Sequence, residues 1–125
     1  MARDAVTGDG PSAPDLPFSM AVRGGGLLFF SGQVATDPAT GELIDGDVAQ
    51  QTEQVLRNLA AALAAAGKDL GDVVRVGVYL TDMSHFAAMN EVYGRHFSKP
   101  YPARTAIGVA ALPLGAAVEM DVVVG

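Results

Sequence analysis

The apolar positions of this chain change period several times, and each change marks an element. Between residues 47 and 66, Thr52, Val55, Leu56, Leu59 and Leu63 recur at the spacing of one helical face. Asp47 suits the N-cap of that helix, with Gln50 as its capping-box partner, and Gly67 suits the left-handed position beyond its end. The alanine-rich stretch 60–66 permits close packing on a sheet. A second helix is predicted from Asp82 or Ser84 to about Phe97, with Phe86, Met89, Asn90, Tyr93 and Phe97 as its stripe. Pro100-Tyr101-Pro102 stops it.

The remaining apolar runs alternate, which predicts strands. Phe18–Val22 and Leu27–Ser31 flank Gly24-Gly25-Gly26 as a hairpin. In residues 72–81, Val74, Val76, Val78 and Leu80 face one way, and Val73, Arg75, Gly77 and Tyr79 the other. Two strands joined by a Pro/Gly loop close the chain. In the first, Arg104, Ala106, Gly108 and Ala110 share a face opposite Thr105, Ile107 and Val109. In the second, Val118, Met120, Val122 and Val124 share a face opposite Glu119 and Asp121. Residues 1–16 show no periodicity and read as a loose tail, leaving one domain over 17–125. The predicted order is β-β-α-β-α-β-β, an α+β fold in which two helices cover one face of the sheet and the other face needs cover from elsewhere.

Composition narrows the function classes. The 125 residues carry 50% hydrophobic side chains and a mean hydropathy of +0.28, apolar enough for surface to be buried between subunits. No apolar run approaches the roughly 18 residues of a membrane span, and no secretory leader is expected. The net charge is −6 and the eight basic residues are scattered, which argues against a nucleic-acid partner. With no cysteine there is no disulfide, thiolate metal site or cysteine nucleophile, a composition that suits the cytoplasm.

Several familiar chemistries are poorly supported. The triple glycine is followed by a strand and lacks the Lys-Ser/Thr of a phosphate loop. The acidic loop with Asp37, Glu42, Asp45 and Asp47 has no EF-hand spacing. His85 and His96 form no metal chelate, and no metal site is expected. Ser31-Gly32-Gln33 is not a nucleophile elbow, although the Ser31 hydroxyl and the Gly32 amide, at a strand end, are placed to face a ligand. Asn90, a polar amide in an apolar stripe, must find partners; a neighbouring loop backbone is favoured over a role in a pocket wall. Arg104 and Glu119 are the stronger pair. If the larger apolar sets point to the core, both point away from it and line one shared surface beside small residues. A cross-strand ion pair at a subunit contact and a ligand site fit them equally well.

Taken together, Pro17-Phe18-Ser19, Ser31-Gly32-Gln33, Asp37-Pro38 with Thr40-Gly41-Glu42, Gln51-Thr52 through Asn58-Leu59, Val78-Tyr79-Leu80-Thr81-Asp82-Met83, Asn90-Glu91-Val92-Tyr93, Pro102-Ala103-Arg104-Thr105 and Leu112-Pro113 to Val118-Glu119 resemble the YjgF family, the reactive intermediate deaminases. The resemblance covers nearly everything after the tail. It implies a chorismate-mutase-like fold with a mixed sheet, assembled as a homotrimer whose helix-free sheet faces turn to the trimer axis and whose sites lie between subunits. It implies hydrolysis of reactive 2-imino or 2-amino-enoic acids to 2-oxo acids and ammonia, without metal or organic cofactor. On this pattern Arg104 matches the carboxylate anchor and Glu119 the water-activating base. Phe18, Ser31, Gly32, Asn90 and Ala106 match positions that line the substrate. A guanidinium fork suits a carboxylate, each charge-assisted contact being worth roughly 1.5–3 kcal/mol.

The chain departs from the pattern at Phe18, where a tyrosine is common, and at Met20, where a glutamine is. Ala106 replaces a frequent cysteine, and Gly108 and Leu114 replace charges. These changes imply a larger, more apolar pocket, and a non-catalytic metabolite-binding trimer is the alternative to a deaminase. Endoribonuclease activity, attributed to some relatives, fits the acidic charge least.

Overall fold

The computed structural model describes residues 2–6 and 16–125. Six strands form one sheet in the order β1-β2-β3-β6-β4-β5: β1 Asp4–Val6, β2 Ala21–Gly24, β3 Leu27–Gln33, β4 Val73–Leu80, β5 Ala103–Gly108 and β6 Val118–Val124. Among the described residues only β4 and β5 pair in parallel, and the sheet is therefore mixed. Helix α1 (Val48–Ala65) leads from β3 to β4, and α2 (Phe86–His96) crosses from β4 to β5. The class is α+β, as the patterning predicts.

Local chemistry sets the helix ends. The Asp47 carboxylate accepts from the Gln50 amide at 2.9 Å and the Gln50 side chain accepts from the Asp47 amide at 2.9 Å, completing the capping box. Gly67, with φ +75°, ends α1 in the left-handed region. Asp82 caps a short 3₁₀ turn, Met83–His85, through the Ser84 amide, and α2 follows directly.

The core lies between the helices and one sheet face. Val55, Leu56, Leu59 and Leu63 of α1 and Met89 of α2 are fully buried against Val76, Val78 and Leu80 of β4 and Val118, Met120 and Val124 of β6. Among the described residues, the two buried polar side chains are satisfied. Thr52 donates to the Val48 carbonyl at 2.7 Å, and Gln51 accepts from the Ala117 amide at 2.9 Å.

Two expectations are corrected. Asp4–Val6 is a strand paired with Ala21–Arg23, so the leader is structured over those three residues; residues 7–15 of the expected tail lie outside the described residues. Strict alternation through 72–81 also fails. A bulge between Val73 and Arg75 turns Val73 into the core (7% exposed) and leaves Val74 48% exposed. An extra residue shifts the phase of everything before it, which a simple period of two misses.

Candidate functional site

The residues singled out from the sequence fall into two groups, on opposite faces of the sheet. Arg104 heads the first. Paired strand residues share a face, and β5 pairs Arg104 with Val76 and Ala106 with Val78, both core positions. Arg104 therefore stands on the helix-covered side, at the edge where the core gives way to solvent. Its Nη1 donates to Asn90 Oδ1 at 2.7 Å, and its guanidinium carbon lies 4.7 Å from the Tyr93 ring centroid and 5.6 Å from that of Phe86. These aromatic faces attract the cation and fix its plane. The side chain remains exposed, so a carboxylate can reach it. Asn90 thus serves the arginine, not a loop backbone as first favoured. Ala106 lies two residues along on the same face, half-buried against the core. Beneath the guanidinium, the Tyr93 hydroxyl is buried without a hydrogen-bond partner among the described residues. Burial pushes that phenol's pKa up, and the Arg104 charge pulls partly the other way.

Glu119 heads the second group, on the helix-free face. In β6 it is the cross-strand partner of Tyr79, two positions from Asp121 on the same side. Its carboxylate lies over Gly32, where a bulge interrupts the pairing of β3 with β6. A Cβ at Gly32 would collide with Glu119 Oε2, so this approach requires glycine. Burial, and next the Asp121 charge, raise the Glu119 pKa above the usual carboxylate range. Ser31 donates its hydroxyl to the Ser19 carbonyl at 2.6 Å, and its amide bonds to the Met20 carbonyl at 2.9 Å. The serine thereby ties the Phe18 segment beside Gly32. Phe18 is 60% exposed and lines a cleft of about 590 Å³ together with Arg3, Val22, Phe29 and Ser31.

The structure corrects the expectation that Arg104 and Glu119 share one surface. That reading took Thr105, Ile107 and Val109 as the inward set of β5. The inward set over this strand is the small one, because the parallel register with β4 sets Ala106 beside Val78 against the core, and Ile107 is 45% exposed on the other face. Hence one protomer brings together Arg104, Asn90 and Ala106, and separately Phe18, Ser31, Gly32 and Glu119.

Sequence reasoning missed Phe86 and Tyr93 as the arginine's platform, though both stood in the α2 stripe. It also missed Tyr79, whose hydroxyl donates to Asp121 Oδ2 at 2.9 Å. The signal available was its position, two residues beyond Gly77 on the face opposite the core.

A family model described as endoribonuclease L-PSP matches residues 10–125. The 2-iminobutanoate/2-iminopropanoate deaminase of Mus musculus is 43% identical over 107 residues, covering 86% of this chain and 79% of the mouse protein. The crystal structure of RidA from an Antarctic Psychrobacter is 46% identical, with a TM-score of 0.85 and 92% of each chain covered. The crystal structure of E. coli TdcF with bound serine is 34% identical, with a TM-score of 0.85 and 97% of each chain covered.

Proposed function

The chain belongs to the YjgF/RidA family and has its chorismate-mutase-like fold, and from that premise we propose that it hydrolyses reactive 2-imino acids and their enamine tautomers to 2-oxo acids and ammonia. The observation that carries this reading is the Arg104 cradle, an exposed guanidinium held by Asn90 and two aromatic faces, with no carboxylate partner among the described residues. Such a fork suits the substrate carboxylate. The serine bound to E. coli TdcF has the same carboxylate and C2 nitrogen as a 2-imino acid.

Glu119 supplies the second function. With a raised proton affinity it takes a proton from water as the oxygen attacks the imine carbon. The C=N electrons pass to nitrogen, giving a carbinolamine. Glu119 returns that proton to the nitrogen, which completes the carbinolamine, and then carries the hydroxyl proton to the same nitrogen as the C–N bond breaks, so that ammonia leaves and the 2-oxo acid remains. Phe18 offers an apolar wall in the cleft it shares with Ser31, which favours substrates with apolar side chains.

Because Arg104 and Glu119 lie on opposite faces of one sheet, a single protomer does not present both to one substrate. The reading therefore includes a site shared between subunits of a homotrimer, Arg104 from one and Glu119 from the next. The exposed apolar residues of the helix-free face, Phe29 and Ile107, favour such an assembly.

The test uses imines generated by an amino-acid oxidase and trapped with semicarbazide. Arg104→Ala and Glu119→Gln are each expected to lower the rate of imine loss on the order of 10²–10⁴-fold. Equal rates for both variants and the parent would refute the proposal. Refolding the two variants together at equal concentration is expected to restore about a quarter of the sites, since a shared site needs only one intact residue from each protomer. No recovery would overturn the shared site.

A further inference from the structure

Strand β6 sends two carboxylates to the same half-buried face, Glu119 and Asp121, about 7 Å apart along the strand. Like charges so placed oppose one another. The structure separates them sideways. Glu119 leans toward β3 over Gly32, while Asp121 leans toward β4 over Gly77. A Cβ at Gly77 would collide with Asp121 Oδ1 and lie 2.9 Å from the Tyr79 hydroxyl oxygen. Two glycines on flanking strands thus make two notches, one for each acid.

The notches are chemically unequal. Asp121 receives the Tyr79 hydroxyl at 2.9 Å. Arg75, from β4, stands on the same face, its guanidinium donating to Thr105 Oγ1 at 3.2 Å. Among the described residues the Glu119 carboxylate receives no hydrogen bond, and β3 faces it with Ser31 and Gly32, neither of them charged. Arg3 is the cation of the Phe18 cleft. A donor hydrogen bond favours the ionised form of its acceptor, so the two acids have different tasks.

We infer that Tyr79 and Asp121 are positioning residues for Glu119: the phenol and the Gly77 notch hold Asp121 as a fixed negative charge, so that Glu119 is the member of the pair that gains and loses a proton. The Tyr79 phenol keeps its own proton firmly, chiefly through this same bond. The inference rests on the deaminase reading for its catalytic meaning, but its electrostatics stand apart from turnover.

The experiment is a pH titration of the side-chain carboxyl carbons by NMR in the full-length protein, alongside the pH profile of kcat/KM for a trapped imine. In Asp121→Asn the Glu119 midpoint and the acid limb of the rate profile are expected to move to lower pH. In Tyr79→Phe, which keeps the ring and serves where the first variant fails to fold, the Glu119 midpoint is expected to move the same way by a smaller amount, because the phenol no longer holds Asp121. Midpoints unchanged in both variants, with turnover intact, overturn this inference alone. Midpoints that move as expected in a protein without turnover overturn the deaminase reading alone.

Discussion

On the helix-covered face of the sheet, β6 places Val118, Met120, Val122 and Val124 at 0–2% exposure. On the other face the same strand places Glu119 and Asp121, half-buried, between strands that carry exposed Phe29 and Ile107. Among the described residues, the first face packs its apolar side chains closely and bonds Gln51 and Thr52, and leaves open only its edge, where Arg104 is exposed above the unpartnered Tyr93 hydroxyl. The second leaves demands open: a carboxylate of raised proton affinity, two glycine notches and uncovered apolar side chains. Close packing is concentrated on one side of the sheet, with Arg104 at its edge, and Glu119 and the uncovered apolar side chains lie on the other.

Substitutions can break this contrast. The largest stability effect is expected on the covered face. Leu59→Ala removes a fully buried side chain and should cost roughly 2–5 kcal/mol, read as a lower midpoint in denaturant, with activity per folded molecule retained. Ile107→Asp, on the helix-free face, should change the folding midpoint of the isolated chain by only about 0.5 kcal/mol or less. It should nevertheless shift the mass measured by light scattering from trimer to monomer. An unaltered trimer would show that this face is not the association surface.

The smallest effect sharpens the comparison most. The folded state raises the Glu119 pKa, so it binds that proton more tightly than the unfolded chain does. The charge therefore costs stability above the carboxylate range and nothing well below it. Glu119→Gln is expected to raise Tm slightly at pH 7, the gain fading as pH falls through the raised folded-state pKa and gone below about 4. A variant that loses activity while gaining stability would mark the helix-free face as functional. A Tm lower than the parent's at pH 7 would assign Glu119 a structural role instead.

Much of this was legible from residue spacing. The Asp47–Gln50 capping box, the α1 stripe and the phase of β6 all stand in the structure as the pattern requires. The exceptions have local causes. The three-residue strand β1 is too short to show a period, and the β4 bulge displaces Val74. Asn90 looked like a buried amide in search of backbone, because nothing in the linear pattern places Arg104 beside it.

What the sequence determined by itself was whatever a strong one-sided apolar pattern dictates. Four bulky residues on one phase of an interior strand leave β6 a single orientation, and five residues at helical spacing do the same for α1. The orientation of β5 was decided only by tertiary structure. It is an edge strand with small residues on one phase and mixed residues on the other, so burial of its own side chains does not choose between them. Its parallel register with β4, which sets Arg104 beside Val76 and Ala106 beside Val78, makes the choice. That choice puts Arg104 and Glu119 on opposite faces, because residues paired across strands share a side whatever their own polarity.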